Sequence, residues 1–169
     1  RIAITGGIAC GKSLVGEIFQ YSGIPVRDAD DIVHELMTRG QPVYDKIIDA
    51  FGGTILGNDG AIDRAVLGKM VFSNPALLNQ LNELVHPAVR DEWTQWLEKQ
   101  SGHAAAVIIP LLYEVSLDRG WNAVVCVGTS PREQRRRLRE RGLSDADADA
   151  RIRAQMDVAR KMELADYVI

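Results

Sequence analysis

The chain alternates between short, continuously apolar runs and longer stretches whose apolar residues recur at helical spacing. Residues 2–5, 105–109 and 123–127 are apolar without polar alternation, the pattern of strands covered on both faces in a parallel sheet. Residues 25–27 and 167–169 are weaker runs of the same kind. After the first run, Leu14, Val15, Ile18 and Phe19 form a stripe that predicts an amphipathic helix. Residues 30–37 and 43–51 predict two more helices, the second ended by Gly52-Gly53 as a C-cap. A turn-rich Gly57-Asn58-Asp59-Gly60 precedes a helix over 63–72. Asn74-Pro75 reads as a cap followed by an N1 proline and predicts a helix to Val85, and Pro87 predicts a separate one through Leu97. Ser130-Pro131 opens an arginine-rich helix that Gly142 ends, and 144–163 predicts one long, weakly amphipathic helix. The order predicts an α/β fold. Its doubly wound parallel sheet has about five strands and carries an all-helical insertion between the second and third.

Composition narrows this picture. A length of 169 residues fits one domain. With 46% hydrophobic and 25% charged residues the chain is globular rather than disordered. No apolar run approaches the roughly 20 residues that span a bilayer, so no membrane association is expected. Residues 1–5 run straight into a glycine-rich motif, so no signal peptide is expected ahead of it. Cys10 and Cys126 are too few for a disulfide scaffold, and a reduced, cytoplasmic protein is expected. The net charge of −3 speaks against a nucleic-acid partner, but it is uneven. Residues 132–141 hold six arginines against two glutamates, a local +4 on a remainder of −7, which suggests a local anion site.

Residues 6–13 read Gly-Gly-Ile-Ala-Cys-Gly-Lys-Ser and match the phosphate-binding pattern Gly-x-x-x-x-Gly-Lys-Ser/Thr. A chance match in a chain of this size has a probability on the order of 1% or less, given glycine near 7%. The spacing serves the chemistry. Gly6, Gly7 and Gly11 let the backbone approach closely, so that the N–H groups of Ile8, Ala9, Cys10 and their neighbours can surround phosphate oxygens. The following helix aims its positive end at the same anion. Lys12 would bridge the β- and γ-phosphates, and the Ser13 hydroxyl would ligate Mg²⁺ directly. The pattern therefore implies a nucleotide-phosphate site with Mg²⁺ on a P-loop NTPase fold. Cys10 reads either as a small side chain that fits the loop or as a thiol activated by the helix N-terminus.

Asp28, Asp30 and Asp31 end the second predicted strand, and ligands of open α/β sheets bind outside such strand ends. If strand two neighbours strand one, Asp28 and Asp30 emerge beside the phosphate loop. One carboxylate could take a proton from a substrate hydroxyl and the other could hold Mg²⁺ through water. The alternative is that they cap a helix. Asp31 reads as charge in a first helical turn.

The loop is followed in order by Asp28-Ala29-Asp30, His86-Pro87, Pro110-Leu111-Leu112-Tyr113-Glu114, Arg151-Ile152-x-x-Gln155 and Ala165-Asp166-Tyr167-Val168-Ile169. With these motifs the chain resembles dephospho-CoA kinase, the CoaE family of P-loop kinases, over essentially its whole length. The resemblance implies ATP-dependent phosphorylation of the ribose 3′-hydroxyl of dephospho-coenzyme A, the last step of coenzyme A synthesis. It implies Asp30 as the general base and Asp28 as a residue orienting substrate or metal-bound water. His86, Pro110, Leu111, Leu112 and Glu114 would line the acceptor side. His86 reads equally as a packing residue ahead of Pro87, and Leu111 and Leu112 as core. Arg137 and Arg141 would begin a helical lid over about 131–163 that closes on the triphosphate, while Arg132, Arg135, Arg136 and Arg139 form a solvated face. The core would then comprise about 1–30, 104–130 and 164–169, with the acceptor-binding helical insertion at about 31–103, all within one kinase domain at 1–169.

Three positions depart from the family pattern. Ala9 stands where a glycine is usual, which costs about 1 kcal/mol if the site needs positive φ. Leu14, adjoining the loop on the nucleotide side, replaces a Ser/Thr whose hydroxyl could reach the α-phosphate. Family members usually continue beyond the position of Ile169 with an asparagine-containing turn and a final helix, so either those residues lie outside these 169 or the adenine contacts made there are missing. Other readings remain: another small P-loop kinase acting on a nucleoside monophosphate-like acceptor, a GTP-dependent switch, and a nucleic-acid binder. The switch lacks an Asn-Lys-x-Asp motif, and the acidic remainder disfavours the binder.

Overall fold

The computed structural model describes residues 1–100 and 102–169. Along the chain run β1 (Ile2–Gly6), α1 (Lys12–Tyr21), β2 (Val26–Asp28), α2 (Ala29–Leu36), α3 (Pro42–Phe51), α4 (Arg64–Phe72) and α5 (Pro75–Lys99). They are followed by β3 (Ala106–Ile108), β4 (Ala123–Val127), α6 (Pro131–Glu140), α7 (Asp145–Arg153), α8 (Val158–Leu164) and β5 (Tyr167–Val168). Two compact units result: Arg1–Asp28 with Gln100–Ile169, and Ala29–Lys99.

In the first unit the strands lie in the order β2-β3-β1-β4-β5, and every pairing is parallel. Continuous apolarity is what this burial demands: Ala3, Ile4, Ala106 and Val107 are inaccessible to solvent. The edge strand β5 is tied on by Asp166, whose carboxylate accepts the Val124 N–H at 2.7 Å. β3 separates β2 from β1, so strand two does not neighbour strand one as the sequence reading required for its carboxylates. Asp28 emerges two strand spacings from the end of β1, about 9–10 Å across the sheet.

Helix α1 covers β1, β2 and β3. Its inward face is Val15, Gly16 and Phe19, whereas Leu14 (61% exposed) and Ile18 (54%) of the predicted stripe face outward. Gly16 decides this: a Cβ there would meet Ile108 Cδ1 at 2.8 Å, so the helix approaches β3 along its glycine. Val15 then packs with Ile4, Ile108 and Val127, each such burial contributing about 1.5–3 kcal/mol.

The second unit is helical, with α5 packed on α2, α3 and α4. Asp63 caps α4 by accepting the N–H groups of Ala65 and Val66. The two helices expected around Pro87 are one. Proline removes one backbone hydrogen bond from α5, but Val85, Val89, Trp93 and Leu97 form an uninterrupted buried stripe through it. Tertiary burial thus overrides the local break. The long helix expected over 144–163 is instead two, α7 and α8, parted at 154–157. Among the described residues no helix is long and apolar enough to cross a membrane.

The loop after β1 carries the sharpest backbone constraint. Gly6 has φ +142°, and a Cβ there would fall 2.1 Å from the Val127 carbonyl oxygen. Ala9 has φ +59° and is buried, so an L side chain occupies a left-handed position. Ala9→Gly relieves that cost but loses the methyl's packing on Leu138 and Ala148 and loosens the unfolded chain, so it is expected to stabilise the fold by less than about 1 kcal/mol. Urea unfolding should show a higher midpoint at unchanged slope, and an unchanged or lower midpoint would show that the strain is absorbed elsewhere.

Candidate active site

The loop 6–13 follows the central strand, the point from which the chain winds to either side of the sheet and where ligands of such sheets bind. Lys12 Nζ donates to the carbonyls of Gly6 at 3.2 Å and Gly7 at 2.9 Å, so the ammonium lies along the start of the loop. Gly11 enters α1 with φ +106°. Lys12 and Ser13 open the helix, where the first N–H groups have no intrahelical acceptor, and Ser13 is exposed. A Cβ on Gly7 would meet Gln134 Nε2 at 2.7 Å. The loop thus has the glycines, amide groups and cation that a polyphosphate needs.

Polar side chains grip the loop's crest from outside. The Ile8 N–H donates to Gln155 Oε1 at 2.8 Å, and the Ile8 carbonyl accepts Gln134 Nε2 at 2.8 Å. Ala9 packs with Leu138 and Ala148, joined by Ile8, Leu143 and Ile152. Arg137 Nη1 donates to the Ala9 carbonyl at 3.0 Å, and its Nε donates to Glu133 at 2.8 Å. Bonds from Arg136 and Arg137 hold the Glu133 carboxyl at about 2, so it stays ionised at any working pH and keeps Arg137 anchored. The rest of the arginine block is largely spent on neighbours: Arg135 pairs with Asp149, Arg136 with Glu133 and Glu140, and Arg139 with Asp145. Arg141 stands exposed at the C-cap of α6.

After β3, residues 110–116 form a turn. Pro110 is half-buried and Leu111 is 39% exposed, but Leu112 is fully buried and offers no surface to an acceptor. Glu114 also departs from the expected acceptor contact. Its Oε1 pairs with Lys161 Nζ at 2.7 Å and accepts the Met156 N–H at 2.9 Å. Lys161 is inaccessible to solvent and also donates to the Pro110 carbonyl at 2.7 Å. Tyr113 Oη and Glu114 Oε2 are buried without a hydrogen-bond partner among the described residues. Burial pushes the Tyr113 hydroxyl up to about 12.

Asp28 ends β2, half-buried, and Asp30 is exposed in the first turn of α2, where its carbonyl accepts His34 Nδ1 at 2.9 Å. His86 is exposed on α5 and lines a shallow depression with Asn79, Asn82, Glu83 and Pro87. Cys10 is buried, and desolvation raises its thiol pKa against the pull of Lys12, which matches the small-side-chain reading and not an activated thiol. Cys10 and Cys126 are both free. Among the described residues no group of three or more His, Cys, Asp or Glu is gathered to cage a metal. The available donors, a hydroxyl and a carboxylate, suit Mg²⁺, which keeps water and substrate phosphate as most of its shell. Gln134 and Lys161 escaped the sequence reading. Their signal was a polar residue on an inward face, Gln134 one turn before buried Leu138 and Lys161 three residues after Val158.

The family model for dephospho-CoA kinase matches residues 1–169. The chain is 44% identical to the dephospho-CoA kinase of Bacillus cereus over 172 aligned residues, covering 99% of this chain and 86% of that one. Among solved structures it is similar to a Thermus thermophilus protein, with a TM-score of 0.88 at 32% identity, covering 99% of this chain and 85% of that one. It is also similar to the dephospho-CoA kinase of Campylobacter jejuni, with a TM-score of 0.67 at 32% identity, covering 99% and 86%. The phosphate loop on the central strand and this whole-length match agree, and the chain belongs to the dephospho-CoA kinase family.

Proposed function

We propose that this protein transfers the γ-phosphoryl group of ATP to the ribose 3′-hydroxyl of dephospho-coenzyme A, giving coenzyme A and ADP. The observation that carries this reading is the phosphate loop of Gly6–Ser13, with Lys12 along it and Arg137 on its crest, in a chain matched to the family from end to end. The bond from the 3′-oxygen to the γ-phosphorus forms as the bond from that phosphorus to the β,γ-bridging oxygen breaks. The hydroxyl proton passes to Asp30, the exposed carboxylate that opens α2. Lys12 and the amide groups of the loop hold the β- and γ-phosphates, and Arg137 offsets charge developing on the transferred group. Mg²⁺, when bound, spreads that charge further; the Ser13 hydroxyl would hold it directly and Asp28 through water.

Pro110 and Leu111 line the acceptor side after β3, and His86 lines it within the helical unit. Helices α6 to α8 are the lid over the triphosphate, with Arg137 and Arg141 reaching into it, and they exclude water that would compete for the γ-phosphate. A cytoplasmic setting is supported by the two free thiols.

An ADP-release assay with ATP, Mg²⁺ and a panel of acceptors tests the reading. Dephospho-CoA should accelerate release, whereas acceleration by a nucleoside monophosphate alone would assign the protein to the other kinase class. Asp30→Asn should lower kcat about 10²–10⁴-fold with ATP binding retained, and near-normal turnover removes Asp30 from the base role. Lys12→Ala should reduce kcat/KM for ATP by at least about 10²-fold; an unchanged value takes Lys12 out of the site.

A further inference from the structure

The buried pair of Lys161 and Glu114 is unexplained by acceptor binding. Lys161 is inaccessible to solvent and Glu114 is 20% exposed, and the buried ammonium bonds the Glu114 carboxylate and the Pro110 carbonyl, each at 2.7 Å. A pair taken out of water in this way is weak evidence for stability, since well-packed apolar groups often serve as well. Its connections suggest another purpose. Glu114 Oε1 also takes the Met156 N–H, and Met156 follows Gln155, whose side chain takes the Ile8 N–H at the crest of the phosphate loop. Pro110, on the other side, begins the turn after β3, and Thr5 Oγ1 reaches its carbonyl at 3.4 Å from the strand that feeds the loop.

Lys161 therefore fastens α8 to the turn after β3 at Pro110 and Glu114, and the Glu114 that it holds reaches the corner between α7 and α8, which in turn holds the loop. The chain leaves the helix at this corner: the Gln155 N–H still donates to the Ile152 carbonyl at 3.3 Å, but the Met156 N–H goes to Glu114 Oε1 while the Gln155 side chain reaches Ile8. Asp157 restarts the chain as α8 by accepting the Ala159 N–H, which brings Lys161 inward one turn later.

We propose that Lys161 is a positioning residue for phosphoryl transfer. Acting through Glu114 and the Gln155-Met156 corner, it sets the register between the crest of the phosphate loop and the Pro110 turn. The inference rests on the kinase reading above for its effect on turnover, but the link itself is a property of the protein without substrate. Displacing the loop by a fraction of an ångström leaves its amide groups able to bind ATP but spoils alignment of the γ-phosphate with the acceptor. The loss therefore falls on kcat rather than on KM.

The test replaces the pair with apolar groups of similar size, Lys161→Met/Glu114→Leu, and compares it with Gln155→Ala, which cuts the last link at the half-buried crest of the loop. Each variant should lower kcat with dephospho-CoA about 10–100-fold while KM for ATP changes less than about threefold. Combining them should add almost nothing, because both interrupt one chain of contacts. Amide hydrogen exchange at Ile8, measured without any substrate, should be at least about tenfold faster in either variant. This reading stands even if dephospho-CoA proves the wrong acceptor, so the two ideas fail separately. Wild-type exchange at Ile8 in the folded pair variant, wild-type kcat in Gln155→Ala, or losses that multiply on combination would each overturn the proposal. If the pair variant does not fold, Glu114→Gln decides. It should show severalfold lower kcat and faster Ile8 exchange, and wild-type values on both would refute the role.

Discussion

A loop that turns its amide groups inward around an anion has to leave other peptide groups facing outward, and those groups must be satisfied by something other than a neighbouring strand. The arrangement around residues 6–13 answers that requirement. Ile8, at the crest, has both its N–H and its carbonyl taken by glutamine side chains, Gln155 and Gln134. The Ala9 carbonyl is taken by Arg137. At the loop's start the constraint is steric: the Val127 carbonyl occupies the space where Gly6 would carry a Cβ. β1 lies between β3 and β4, so the segments that follow both neighbours reach its end: Thr5 Oγ1 bonds the Pro110 carbonyl at 3.4 Å on one side, and the Val127 carbonyl abuts Gly6 on the other.

The helices from 131 to 164 thus act as the outer wall of the loop as well as a source of cations. The arginine-rich helix shows how the two tasks are divided. Its Gln134, Arg137 and Leu138 face the loop, by hydrogen bond, charge and packing respectively. Arg135, Arg136 and Arg139 lie on its outer side in exposed ion pairs with Asp149, Glu133, Glu140 and Asp145. Such pairs contribute little to stability. Asp145 and Asp149 nevertheless bring aspartate charge from outside the +4 segment against it, and in a separate pair Glu133 holds Arg137 in place.

The loop also carries strain. Ala9 occupies a left-handed conformation that glycine would adopt freely, yet its methyl packs with Leu138 and Ala148. The packing of that side chain offsets part of the backbone cost, and it fastens the loop to α6 and α7 by apolar contact next to the polar contacts at Ile8. The buried Lys161–Glu114 pair extends the same support to the turn after β3.

Much of the fold and part of the site could be read directly from residues. β1, β3 and β4 are legible because a strand covered on both faces must be continuously apolar, and the phosphate loop is legible because glycine, lysine and serine at that spacing have few other uses. The helix caps at Asn74 and Ser130 are legible because a capping side chain bonds only two or three residues ahead. What could not be read depends on groups far apart in sequence. Whether β2 or β3 lies beside β1 depends on a competition between strands that periodicity does not register. Pro87 marks a local break, but the stripe from Val85 to Leu97 that overrides it needs α2, α3 and α4 to pack against. The contacts of the corner at 154–157 and of Lys161 lie far away in sequence: Ile8 is 147 residues from Gln155, and Pro110 is 51 from Lys161. The sequence alone determined each element's local burial and the chemistry of the loop. Only the tertiary structure decided which polar groups meet, because a hydrogen bond between distant residues leaves no periodic trace in either segment.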